Sequence, residues 1–418
     1  MSSATPEINP SIKALASAAV SSAKLVGKQS IEFLSDGAFP IGILACMIVL
    51  AVAVFIWWML SLIPIYETPT NIRTIARKSI KDQAYIATIK RKGLREYLNS
   101  IQNKINGSEL ALTNFYVSTV NATGFFFPAK HGVFTPEAAR LAVLGGARAF
   151  VFDIWPDLTP GAEFGPILQV VEEGSLWRRI SINSLNVSVV LQALIQEAFE
   201  IPERPGSGDP VYFYLRFRGK PRRRTLDGTA DALRATMESY RLPPAYYNRN
   251  KQDGIFSTPI TEFFKKVIIC SNNNAQGSRL SDFINVGVKD GYTLEWDPRQ
   301  AKGLTVDGRA SEAPKIQASL TWVAPNSETP TAENNNYDFK ASWDVGIHFC
   351  AVNFWNNNDK LKEYMTTPMF GVYSFALKPE PLRYKILLLD ASKFPQNPGW
   401  GSGVTAGSPK VPQSIQLP

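Results

Sequence analysis

The chain has 418 residues, 45% of them hydrophobic and 19% charged, with a net charge of +8. Only three cysteines and two histidines occur, which weighs against a disulfide framework and against a zinc centre. The positive balance calls for an anionic partner. With no zinc motif, no glycine-rich phosphate loop and no aromatic platform, nucleic acid is not the expected one.

Residues 1–40 read as an N-terminal segment, partly helical, because 10–34 carries only a weak apolar stripe diluted by Ala and Ser. From Ile41 to Ile63 the chain is apolar and uncharged, bracketed by Pro40 and Pro64. As a helix this run spans about 34 Å, so a transmembrane helix is expected over 41–65. It has no polar face and starts too late for a signal peptide. Trp57, Trp58 and Tyr66 stand where interfacial aromatics belong. From Glu67 to Lys104 nine basic residues face three acidic ones, whereas the forty residues before the span balance at three each. The asymmetry predicts a single-pass membrane protein with its C-terminal body in the cytosol. On that topology the glycosylation patterns at Asn106, Asn121 and Asn186 stay bare. Residues 66–111 read as a basic, helical juxtamembrane linker, with Arg77, Lys78, Lys81, Lys90, Arg91 and Lys92 as candidate contacts to an anionic leaflet.

Beyond residue 112 strands and helices alternate. Phe115–Val120 reads as a strand. Thr135-Pro-Glu opens a helix that ends at Gly145-Gly146. Ala149–Trp155 is a strand carrying one acid, 188–199 a helix, Val211–Phe217 a strand and 230–240 a helix. Lys265–Cys270 and His348–Phe354 are further strands. Apolar strands alternating with helices predict a parallel sheet, most simply a TIM-like (β/α) barrel. The expected layout is a first half at 112–297, a polar insertion or linker at 298–336, a second half at 337–394 and an extended or disordered tail at 395–418.

Within this body, Trp343-Asp-Val-Gly-Ile-His-Phe-Cys-Ala-Val-Asn-Phe354 and Gly371-Val-Tyr-Ser-Phe-Ala-Leu-Lys-Pro-Glu-Pro-Leu-Arg383 resemble the Y-box ending of the eukaryotic-type phosphatidylinositol-specific phospholipases C. Ser118-Thr-Val-Asn121 resembles the S-S-H-N opening of that family's X box, and Leu144–Trp155 its G-x-R-x-x-E-L-D-x-W strand. Asp209–Arg216 resembles P-V-I-L-S-L-E, and Lys266-Val-Ile-Ile resembles K-I-L-I-K. These islands keep the family's order across 112–385, with the polar insertion where the X/Y linker falls.

The resemblance implies two histidines as acid and base, and a calcium ion held by Asn, Asp and two Glu. At the first histidine position stands Val120, and no histidine occurs near 172–175, where the second belongs. Asn121 and Asp153 persist as vestiges of the metal site, while the two glutamate positions hold Val151 and Arg216. The headgroup-lysine positions hold Cys270 and Asn272. His131 and His348 lie away from the family's catalytic positions. Each lost acid or base removes roughly 10²–10⁴-fold of rate, so a pseudoenzyme without cofactor or metal is expected, with Asp153 paired to Arg148 or, as the sharper expectation, to Arg216. The run Arg216-Phe-Arg218-Gly-Lys220-Pro-Arg222-Arg223-Arg224 packs six cations into nine residues, either as a solvated loop or as a further contact to anionic lipid. The expected function is a structural or scaffold component at a membrane, with protein partners in a larger assembly such as a membrane-containing virion. The alternatives are a phosphoinositide-binding module and a diverged, active phosphodiesterase.

Overall fold

The computed structural model describes residues 21–22, 24, 46–56, 91–102, 105, 107–126, 132–158, 164–171, 181–204, 206–247, 254–287, 293–303, 315–325, 336–355 and 358–384. They belong to two compact units, 1–66 and 67–418. In the first, residues 46–56 are helical, with Met47, Leu50 and Phe55 exposed. This piece covers about 16 Å, half of a bilayer core. Among the described residues no helix is long and apolar enough to cross a membrane. The remainder of the expected span 41–65 lies outside the described residues, as do Arg77, Lys78, Lys81, Lys90, His131 and the tail 395–418.

In the second unit eight strands run parallel: β1 Thr119–Val120, β2 Ala149–Pro156, β3 Val211–Phe217, β4 Val267–Ser271, β5 Val286–Gly287, β6 Thr293–Trp296, β7 Leu320–Val323 and β8 Phe349–Val352. Each pairs with the next except β5 with β6, and β8 pairs with β1. Among the described residues the ring stays unjoined only between β5 and β6. This order is that of a TIM-like (β/α) barrel.

Helix α1 (Leu94–Ile101) precedes the barrel; α2 (Pro136–Leu144), α3 (Val187–Ile195) and α4 (Arg223–Met237) follow β1, β2 and β3; α5 (Phe339–Asp344) and α6 (Asp359–Thr366) flank β8. Local chemistry sets their starts. The Thr135 hydroxyl accepts from Glu137 N–H with Pro136 in the first turn, and the Asn186 side-chain amide oxygen accepts from Ser188 N–H. Helix α4 has no such side-chain cap and begins with Arg223 and Arg224. It starts well before the expected 230, because arginines in a first turn oppose the helix dipole and hide the boundary.

Strand alternation builds two apolar layers. Phe150, Phe152, Phe213 and Leu215 face the helices, in one cluster with Leu191 and Leu233. Ala149, Val151, Tyr212, Tyr214 and Cys270 fill the barrel with Trp322 and Phe349. Trp322 stacks between Phe349 (3.9 Å between ring centroids) and Tyr214 (5.0 Å).

The stretch 298–336, expected to be a polar insertion, contributes the short helix Pro298–Gly303 and the buried strand β7. Three apolar residues and a threonine, Leu320-Thr-Trp-Val323, are too short a run for periodicity to reveal. The expected strand Phe115–Val120 is broken at Ser118. Phe115–Val117 turns away to pair antiparallel with Phe375–Leu377 across the base of the barrel, the end at which the strands begin.

Candidate functional site

The alternation that fills the lower barrel with apolar side chains delivers polar ones at the ends where the strands finish. On β2 the inward file runs Ala149, Val151, Asp153, and on β3 it runs Tyr212, Tyr214, Arg216. The register pairs Asp153 with Arg216 directly. The Arg216 guanidinium turns inward and donates to both carboxylate oxygens of Asp153 (Nε–Oδ1 2.6 Å, Nη2–Oδ2 2.8 Å). Across the barrel it donates to Glu295 Oε1 on β6 (3.0 Å). It also reaches Asn121 Oδ1 after β1 (3.4 Å) and the Pro325 carbonyl after β7 (3.3 Å). Arg218 donates to Asp153 Oδ1 (2.8 Å), Tyr214 Oη to Glu295 Oε2 (2.7 Å), and Asn121 Nδ2 to Asn353 Oδ1 (2.9 Å).

The charges within this network balance, since Arg216 and Arg218 face Asp153 and Glu295. Asp153 and Arg216 are buried, and Glu295 is 26% exposed. Burial works against the Arg216 charge, but Asp153 and Glu295 outweigh it and hold its proton more tightly than usual. Burial and then Glu295 raise the Tyr214 hydroxyl, which stays a donor.

Calcium, which the sequence resemblance implies for this place, takes six to eight oxygens at about 2.3–2.6 Å. Here the oxygens of Asn121, Asp153, Glu295 and Pro325 already accept from a guanidinium standing among them. Among the described residues no group of three or more His, Cys, Asp or Glu is arranged to hold a metal. The residues present do not fit a divalent ion.

The other family positions are apolar or structural. Val120 is buried, Val151 and Cys270 belong to the barrel filling, and Asn272 bridges the backbone N–H and carbonyl of Phe217 (2.8 and 3.1 Å). His348 lies at the base, far along the strands from Asp153, fully buried. There Thr321 N–H points at Nδ1 (3.3 Å) and the Thr113 carbonyl sits 2.7 Å from Nε2, which places the ring proton on Nε2. Lys378 Nζ lies 2.7 Å from that same nitrogen and is equally buried, so the contact is made by an uncharged amine accepting from the ring. Burial drives both pKa values down.

Two expected lipid contacts are corrected. Arg91 is 3% exposed and donates to the carbonyls of Met365 (2.6 Å), Gly371 and Tyr373 (both 3.0 Å), because a guanidinium fork can serve several converging carbonyls at once. Arg218 is drawn inward by Asp153, its side chain 17% exposed. Lys92 is exposed beside Glu96 at 3.8 Å. Lys220, Arg222, Arg223 and Arg224 are exposed after β3, at the barrel end opposite Arg91. Arg222 packs over the Phe164 ring (3.8 Å), and Arg223 lies 3.5 Å from Asp227.

Glu295 is the functional residue that sequence reasoning missed. Its signal was slight: like Asp153, it is the one acid in its strand, Thr293–Trp296.

No family model matches the chain, and no curated protein matches it. Among solved structures it resembles PLC21 of L. pealei (17% identity, TM-score 0.52) and PLC21 of S. officinalis (16% identity, TM-score 0.51). Each comparison covers 67% of this chain and 38% of the other. The chain thus spans well under half of those proteins. The fold of the second unit is a phospholipase C-like TIM barrel.

Proposed function

We propose that this chain is a non-catalytic phospholipase C-like barrel that serves as a structural component at a membrane, held by a single span at 41–65 with the barrel on the cytosolic side. The observation that carries this reading is the Arg216 guanidinium, bonded to Asp153, Glu295, Asn121 and the Pro325 carbonyl where phosphodiester cleavage would need a metal. His348 is sealed in the base, away from this network, and Val120 occupies the end of β1 where the family resemblance implies a histidine. The full chain, incubated with phosphatidylinositol vesicles and calcium, is expected to release no inositol phosphate above a blank, and to stay with the bilayer through alkaline carbonate extraction. Calcium-dependent release abolished by Asn121→Ala would overturn the first half, and extraction at alkaline pH the second.

A second reading, contact with anionic lipid, is favoured by the exposed Lys220, Arg222, Arg223 and Arg224. They stand before and within an uncapped helix start, where cations cost stability. The full chain in neutral nanodiscs should co-float with phosphatidylserine vesicles at low salt, and Arg222→Glu/Arg223→Glu/Arg224→Glu should not. Equal flotation of the two rules out this contact.

A further inference from the structure

Five oxygens surround the Arg216 guanidinium: both of Asp153, one of Glu295, the Asn121 amide oxygen and the Pro325 carbonyl. They come from β2, β6 and the segments after β1 and β7, so they converge from several sides of the barrel rather than along one strand. All are hard oxygen donors, and two carboxylates with neutral carbonyls are the ligand set that calcium prefers. Their two negative charges are met by two positive ones, because Arg218 joins Arg216 on Asp153. One divalent ion would carry the same charge.

We propose that Arg216 and Arg218 together stand in for a divalent cation, and that removing both guanidinium groups exposes a latent divalent-cation site built on Asp153 and Glu295. Glu295 thereby acquires a role. It closes the ring from the far wall of the barrel, its second oxygen fixed by the Tyr214 hydroxyl. A point charge pinned by covalent bonds cannot dissociate, so the polar end is indifferent to the metal content of its surroundings. Either guanidinium alone leaves the two carboxylates with a net negative charge, which is why the two arginines act as a pair.

The assignment rests on the non-catalytic reading of the same site, but the two fail separately. Hydrolysis of phosphatidylinositol without added metal removes that reading alone. Calcium binding by the unaltered chain without hydrolysis removes this one alone.

The test compares the full chain with Arg216→Ala/Arg218→Gln, purified in about 1 mM calcium and then exchanged into chelator. The unaltered chain should show the same melting temperature in calcium, magnesium and EDTA. The double variant should melt lower in EDTA and recover saturably with calcium. It should also sensitise terbium luminescence through Tyr214 and Trp322, which stack beside the site. Adding Glu295→Gln should abolish both the recovery and the luminescence. A terbium or calcium response of the unaltered chain overturns the proposal. So does a double variant that fails to fold even in calcium, or that folds and ignores the metal, and so does a response that survives Glu295→Gln.

Discussion

Replacing Lys378 by Met asks how much an uncharged, buried amine costs the fold. In the folded chain Lys378 accepts from His348 and no acid pairs with it among the described residues, so its pKa is lowered by burial. In the unfolded chain the same amine binds a proton at any pH below about 10.4. The unfolded state therefore holds more protons, and stability rises with pH. It is full above the unfolded pKa and lost as pH falls toward the folded one. Over that window the slope is about 1.4 kcal/mol per pH unit for this one group.

Methionine matches the stem, carries no proton, and leaves the ring N–H of His348 bonded to the Thr113 carbonyl. No polar atom is stranded, so the substitution should stabilise the chain near neutral pH and flatten its pH dependence by about 1.4 kcal/mol per unit. Urea titrations of both chains in the same detergent, at pH 7.5, 8.5 and 9.5, read this directly. Equal slopes, or a variant less stable than the parent at pH 7.5, would refute the uncharged amine.

His348 predicts a further loss of stability as pH drops below about 6.5, since its folded pKa is also lowered and the unfolded ring protonates first. Guanidine midpoints between pH 7 and 5 check it, and His348→Gln should remove the drop. Arg91→Ala strands the buried Met365 carbonyl and frees two partly buried ones, and should cost about 1–3 kcal/mol in thermal unfolding, with no change in vesicle binding. Trp322→Ala removes the ring between Tyr214 and Phe349 and should cost about 3–5 kcal/mol by the same assay. Gly146 has φ +88°, and an added Cβ would stand 2.5 Å from the Arg91 stem. Gly146→Ala should therefore destabilise by about 1–3 kcal/mol; a neutral result would mean the arginine stem yields without cost.

Strands β2, β3 and β4 were legible because each is a run of β-branched and aromatic residues long enough to stand out, and α2 because Thr135-Pro136 announces its start. Strand β7 was not, since four residues carry no readable period. The site divided in the same way. Asp153 and Arg216 were found because a resemblance placed them on neighbouring strands. Glu295 comes from a strand on the opposite wall, and no local pattern says which walls meet across a barrel. Arg91 misled for a related reason. In a sequence, a basic residue after an apolar run reads as solvent-facing, and only the fold reveals three carbonyls, from a segment some 280 positions away, aimed at one point.

That clasp also sets how the barrel unit bears load. Lys92 bridges to Tyr373, and Arg91 grips the same turn, so the chain enters the barrel beside the strand by which it leaves. A pull arriving at Arg91 would meet these contacts first, where two stretches of backbone lie side by side.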